Sequence, residues 1–281
     1  MRYISFEKSG KTLLGVRDSG GGIRTLGEFT LEALLADGVD LQQFAAQHTG
    51  GAIEAEEGVK LLPPLRRPTK ILCVGLNFKD HSAESNFAQP DYPTMFLRLH
   101  TSLVAHQQPI VRPRISDSLD YEGEIAVVLG KGGRHIAKRD ALSHVAGYAL
   151  FNDASVREYQ FKTPQWTIGK NFDGTGAFGP ELVTADELPP GAKGLLLETR
   201  LNGKVVQSAN TDDMVFDVET LISVLSEAVT LEAGDVIVAG TPSGIGWARN
   251  PKLLMRHGDV CEVSVAGLGV LRNPIVDEAA A

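Results

Sequence analysis

Glu122 and Glu124 stand two residues apart in the stretch DYEGEIAVVLGK, and the next residues at that spacing are Ala126 and Val128. In an extended strand, residues i, i+2 and i+4 share one face. The two carboxylates therefore head a row that turns apolar. An E-x-E pair alone more often marks a solvated strip, but such a strip stays polar along its length. Two close carboxylates in a partly buried place repel each other and lose hydration. Both stay ionised most easily with a cation between them.

A third acid, Asp153, closes the apolar run GYALFND. Glu122, Glu124 and Asp153 together make a hard, oxygen-only donor set. It suits Mg²⁺, with Mn²⁺ or Ca²⁺ possible, and leaves coordination positions for water or substrate. Taken singly, Asp153 reads as the N-cap of a short helix. Arg157 and Gln160, four and seven residues on, would then lie on its face. Without the neighbouring acids, those two would read as solvated helix surface.

Further reactive types gather nearby in sequence. GLNFKDHSAE places His81 and Glu84 three apart after an apolar strand, so on a helix the acid can orient the imidazole and raise its basicity. A surface His–Glu pair is more often incidental. Lys170 follows a glycine in the loop after Trp166, where a lone lysine is usually solvated. Thr241 follows the apolar VIVAG run, where a turn role is the commoner one.

The elements that must position these groups are short. ILCVG, TMFLR, EIAVVLG, GYALFND, LLLETRLNG, VIVAG and VCEVSV read as strands. Asn202-Gly203 predicts a type I′ hairpin. Helices are expected near residues 80–85, 138–144 and 215–228. Strands do not alternate with long helices, so a doubly wound sheet is not expected; a β-rich α+β sandwich or roll is. Residues 1–62 read as a small β-rich unit with a helical region that Gly38 divides. The proline-rich LLPPLRRPTK marks a linker at 63–70, and 71–281 forms the larger domain.

With 281 residues and a net charge of −8, the chain lacks the basic footprint that nucleic acid requires. Cys73 and Cys261 sit inside apolar runs, as buried small hydrophobes do in a reducing compartment. The alternating N-terminus carries no secretory h-region, and no run approaches a membrane span. A cytoplasmic protein without membrane contact is expected. Gly174 to Gly179 matches G-x-G-x-x-G, but no strand–helix context surrounds it. Gly240-Thr241-Pro242-Ser243-Gly244 lacks nucleophile-elbow spacing, and the histidines lack zinc-site spacing.

The ordered set L-N-F-x-x-H-x-x-E, D-Y-E-x-E, N-D-x-S-x-R-x-x-Q, G-K-x-F-D and G-T-P-S-G resembles the fumarylacetoacetate hydrolase family over most of residues 70–275. The likeness is to bacterial members of acylpyruvate hydrolase and heptadiene-dioate isomerase type. One departure is RLHTSLVAH, Arg98 to His106, where many members carry K-P-x-x-[AS]-L in a segment lining the pocket. The resemblance implies a mixed β-sandwich roll, Mg²⁺ on Glu122, Glu124 and Asp153, and a His81–Glu84 dyad that handles water. It implies Lys170 as a catalytic cation, Arg157, Gln160 and Thr241 as substrate contacts, and a homodimer. The expected reaction is hydrolysis of the C–C bond of a 2,4-dioxo acid, giving pyruvate and a carboxylic acid. The alternatives are isomerisation, tautomerisation or decarboxylation of a 2-oxo acid in aromatic catabolism; a metal- and ligand-binding protein without turnover is a third. The polar segment after His81 is expected to be a lid.

Overall fold

Every residue of the strand Gly123–Leu129 is buried, which follows from its position deep inside a sheet. It pairs antiparallel with Val145–Asp153 on one side and with Val236–Val238 on the other. Its two faces enter different cores. Ile125, Val127 and Leu129 join one apolar cluster, while Ala126 and Val128 join another. Buried on both faces, the strand needs apolar residues at every position, and its sequence supplies them from Ile125 onward.

The computed structural model describes residues 1–84 and 88–279, except the side chains of 81–83. Among these, twelve strands form one mixed sheet. Its middle runs Gly176–Thr184, Val145–Asp153, Gly123–Leu129, Val236–Val238, Ile71–Gly75, ending on Thr94–Arg98. The N-terminal strands Arg2–Lys8, Lys11–Arg17 and Ile23–Gly27 extend the same sheet, because Arg2–Lys8 pairs antiparallel with Gly176–Thr184. A second sheet of five strands, led by the hairpin Leu196–Leu201 and Lys204–Asn210, packs across the first. Leu197, Val263, Leu271 and Ile275 face Ile125 and Val127 in the intervening core, which helix Val218–Ala228 closes with Leu221, Ile222 and Leu225. The architecture is the expected β-rich α+β sandwich.

Local expectations fared variously. Asn202 and Gly203 take φ of 52° and 76°, as a type I′ turn demands. Gly38 separates the helices Leu31–Ala36 and Leu41–Gln47. The expected helix at 138–144 is a 3-10 helix. The third begins at Val218, where Asp217 caps it by accepting from the Thr220 N–H. Residues 176–179 of the glycine motif lie within a strand, so no dinucleotide-binding turn exists there. Both cysteines are buried and unpaired, and burial pushes the Cys261 thiol up to about 12. Among the described residues no helix is long and apolar enough to cross a membrane.

Candidate active site

Strand register brings the three acids together. The Asp153 N–H donates to the Glu122 carbonyl at 2.8 Å, so these residues face each other across the ladder, and Glu124 lies one pleat further along. One carboxylate oxygen from each lies within 4.8 Å of the other two, and all three residues are buried. The face they occupy continues as Ala126 and Val128 into the core that also holds Cys73, Phe96 and Phe151. The carboxylates sit where that core ends.

Buried cations surround them. Lys170 Nζ lies 2.6 Å from both Glu122 Oε2 and Asp153 Oδ2. Arg157 Nη1 lies 2.5 Å from Glu122 Oε1 and 2.8 Å from Gln160 Oε1. Arg98 pairs with Asp153 Oδ1 and donates to the Thr175 hydroxyl at 2.8 Å and the Ala154 carbonyl at 3.2 Å. Burial lowers the Lys170 ammonium, but the Asp153 and Glu122 charges outweigh it and hold the pKa above the usual lysine value.

Glu124 is different. Its Oε2 accepts the Gly240 N–H at 2.6 Å, and among the described residues no lysine or arginine pairs with it. Burial first, then the Asp153 and Glu122 charges, push its carboxyl well above the usual range. With Asp120 included, four buried carboxylates outnumber three buried cations, and Glu124 is the one left without a lysine or arginine. The all-oxygen donor set of Glu122, Glu124 and Asp153 fits a hard divalent ion, which would hold Glu124 ionised.

Asp120 is a working residue that sequence reasoning passed over, although it stands at i, i+2, i+4 with Glu122 and Glu124. Its Oδ2 accepts from Arg157 Nε and from the Trp247 N–H, each at 2.9 Å, and its Oδ1 accepts from the Gly246 N–H at 2.8 Å. Gly246 allows this approach, since a Cβ there would lie 2.6 Å from Asp120 Oδ1. Gln207 also went unread. It reaches in from the second sheet, accepts from the Gly123 N–H at 3.0 Å and donates to the Thr241 hydroxyl at 2.9 Å. No periodicity in its own strand could have signalled that.

The remaining expected residues are placed as follows. Asp153 ends its strand and caps nothing: the helix Arg157–Gln160 starts after Val156, without a side-chain cap. The N-cap expectation fails because the chain stays extended through Ser155–Val156 to pair with Leu119–Asp120. The Thr241 hydroxyl is engaged within the protein, donating to the Gly123 carbonyl at 3.0 Å. Glu84 ends the helix Lys79–Glu84, and both its oxygens lie near the Gly244 N–H, at 3.0 and 2.9 Å. His81 lies in that helix; its side chain, and residues 85–87 of the expected lid, fall outside the described residues.

A cavity of about 360 Å³ joins these groups. Glu122, Glu124, Lys170, Arg157, Gln160, Thr241 and Glu84 line its polar end, and Leu76, Phe96, Phe161, Trp166, Ile245 and Trp247 the remainder. Trp166 lies so close to the end of its neighbouring strand that a Cβ on Gly75 would come within 2.3 Å of its ring. Arg98, the first residue of the segment that lines the pocket in relatives, pairs with Asp153 of the triad, is 3% exposed and does not line the cavity.

Residues 70–276 match the family described as fumarylacetoacetate (FAA) hydrolase C-terminal. The chain is 36% identical to a Xenopus laevis protein named oxaloacetate tautomerase fahd2, mitochondrial, over 98% of this chain and 90% of that one. Among solved structures, a fumarylacetoacetate hydrolase from Exiguobacterium antarcticum superposes with a TM-score of 0.86 at 35% identity, covering 99% of this chain and all (100%) of that one. A maleylpyruvate hydrolase from Sphingobium sp. SYK-6, solved with manganese(II) and pyruvate, gives a TM-score of 0.83 at 26% identity over 99% of this chain and 100% of that one.

Proposed function

The chain belongs to the fumarylacetoacetate hydrolase family, and from that premise we propose a divalent-metal enzyme that interconverts the keto and enol forms of a 2-oxo acid. The observation carrying this reading is the buried Lys170 ammonium, 2.6 Å from both Glu122 and Asp153, in one cavity with Glu84. Held by Glu122, Glu124 and Asp153, Mg²⁺ or Mn²⁺ would supply Lewis acidity to a 2-oxo acid.

The chain's own groups account for the rest. Arg157, held by Asp120 and Glu122, orients the acid end of the substrate. Glu84, with His81 three residues before it, takes a proton from C3. The C3–H electron pair becomes the C2–C3 double bond, and the carbonyl pair moves onto the C2 oxygen. Lys170 faces that developing negative charge with a fixed ammonium and needs no reorganisation. Return of that proton from Glu84 to the C2 oxygen completes the enol and restores the base. The name of the amphibian relative supports this reading.

Hydrolysis is the second reading, favoured by Glu84 on the wall of the same cavity. Water would lose its proton to the His81–Glu84 pair and attack C4 of a 2,4-dioxo acid. The C3–C4 bond would break with its electron pair left on C3. Protonation there would give pyruvate and a carboxylic acid.

The test is to incubate the protein and Mg²⁺ with oxaloacetate and with acylpyruvates, following enol absorbance and pyruvate release. Accelerated enol–keto exchange that EDTA abolishes is the expected result. Pyruvate release from acylpyruvates would move the assignment to hydrolysis. No change in either, with metal bound, would overturn both.

A further inference from the structure

Gln207 stands on the strand Lys204–Asn210 of the second sheet, is 2% exposed and does not line the cavity. It nonetheless grips two separate pieces of backbone at the acid triad. Its Oε1 accepts the N–H of Gly123, the residue between Glu122 and Glu124, at 3.0 Å. Its Nε2 donates to the Thr241 hydroxyl at 2.9 Å and to the Pro242 carbonyl at 2.8 Å. Backbone groups at both ends settle the orientation of the amide, because an N–H only donates and a carbonyl only accepts. The ring of bonds closes on itself: the Thr241 hydroxyl, which accepts from Gln207, donates in turn to the Gly123 carbonyl at 3.0 Å.

Gly123 is what admits the amide. A Cβ there would lie 2.0 Å from Thr199 Oγ1, and Thr199 is the register partner of Gln207 in the hairpin. A residue with a side chain could not bring the E-x-E strand this close to the second sheet. The clamped turn then reaches Glu124. Gly240, directly before Thr241, gives its N–H to Glu124 Oε2 at 2.6 Å. Gln207 thus ties the backbone between the two glutamates to the turn that orients the second of them. Partners that hold a metal ligand in this way typically contribute about 10- to 100-fold in metal affinity.

We infer that Gln207 is a positioning residue for divalent-metal binding, acting through Gly123 and the turn Gly240-Thr241-Pro242. This rests on the reading of Glu122, Glu124 and Asp153 as a metal site.

The test titrates Mg²⁺ alone into EDTA-treated, dialysed protein by calorimetry and takes urea midpoints of the same samples. Gln207→Met, of similar length but without amide groups, is expected to lose about 10- to 100-fold in Mg²⁺ affinity. Ser226→Ala is the comparison for stability alone. Ser226 is buried on helix Val218–Ala228, accepts the Ile136 N–H at 2.8 Å and lies outside the cavity lining. Its loss should lower the urea midpoint and leave Mg²⁺ affinity unchanged. Thr241→Val removes the hydroxyl of the clamp and should also weaken Mg²⁺ binding. Combined with Gln207→Met, it should lose less than the product of the two single losses, as residues of one network do. If Gln207→Met does not fold, Thr241→Val decides: unchanged Mg²⁺ affinity there overturns the clamp. Unchanged affinity in folded Gln207→Met, or a loss in Ser226→Ala that tracks stability in the same way, overturns the positioning role while the metal site stands. Wild-type protein that binds neither Mg²⁺ nor Mn²⁺ overturns the metal reading and this inference together.

Discussion

The Asp120 carboxylate takes Arg157 Nε at 2.9 Å and, through the same Oδ2 oxygen, the Trp247 N–H. One buried acid thus holds a guanidinium that lines the cavity and the backbone of Trp247, whose residue lines the same cavity, although Arg157 and Trp247 are far apart in sequence.

Removing that acid should damage stability first. Asp120→Ala leaves the Arg157 charge buried with one partner fewer, which costs about 3–5 kcal/mol for a broken buried pair. A large fall in urea midpoint is expected. Asp120→Asn keeps one acceptor oxygen, for the Gly246 or the Trp247 N–H but not both, and should recover only a small part of it. Equal stability of wild type and Asp120→Ala would refute the role.

Glu124 is the acid whose charge is least compensated, so it should be the most metal-dependent. Glu124→Gln should weaken Mg²⁺ binding more than about 100-fold, beyond the usual cost of altering an outer partner. Calorimetry checks this. Thermal denaturation should show metal stabilising the wild type and not the variant.

Arg98 holds Asp153 from below. Arg98→Met removes one of the two cations paired with the fully buried Asp153 carboxylate and should cost about 3–5 kcal/mol. Arg98→Lys keeps the charge, but a single ammonium cannot also reach Thr175 and Ala154 as the guanidinium does, so about 1–3 kcal/mol should be lost. Chemical denaturation of both variants gives the order; a lysine variant as unstable as the methionine one would contradict it.

Asp217 predicts an acid dependence. Burial raises its carboxyl, but the Thr220 hydroxyl and N–H and Lys138 outweigh this and bring it down to about 2 from 3.8. A depressed carboxyl stabilises the folded state above its unfolded value and loses that contribution as pH falls through its folded value. Asp217→Ala should cost about 1 kcal/mol at neutral pH as a lost cap. The gap from wild type should close as pH falls from about 4 towards 2. Urea midpoints across that range measure it, and a constant gap would contradict the assignment.

Much of this was legible in the chain itself. Runs such as ILCVG and EIAVVLG dictate buried strands because burial on both faces admits only apolar residues. Asn202-Gly203 dictates its turn because both positions need positive φ, which few residues tolerate. The abrupt change from Glu122 and Glu124 to Ala126 and Val128 shows that the acids sit at the end of a core.

Tertiary structure decided what such local patterns cannot carry. The sequence did not show that Asp153 would face Glu122 across a ladder, since register is a relation between strands. Nor did it reveal Arg98 beneath the triad, Gln207 arriving from a second sheet, or Asp120 tying Arg157 to Trp247. Each depends on side chains meeting across long sequence separations, where packing, and not spacing along the chain, chooses the partners. The acid pair at the head of DYEGEIAVVLGK identified the donors; only the folded sheet set how many cations they already share and where one more fits.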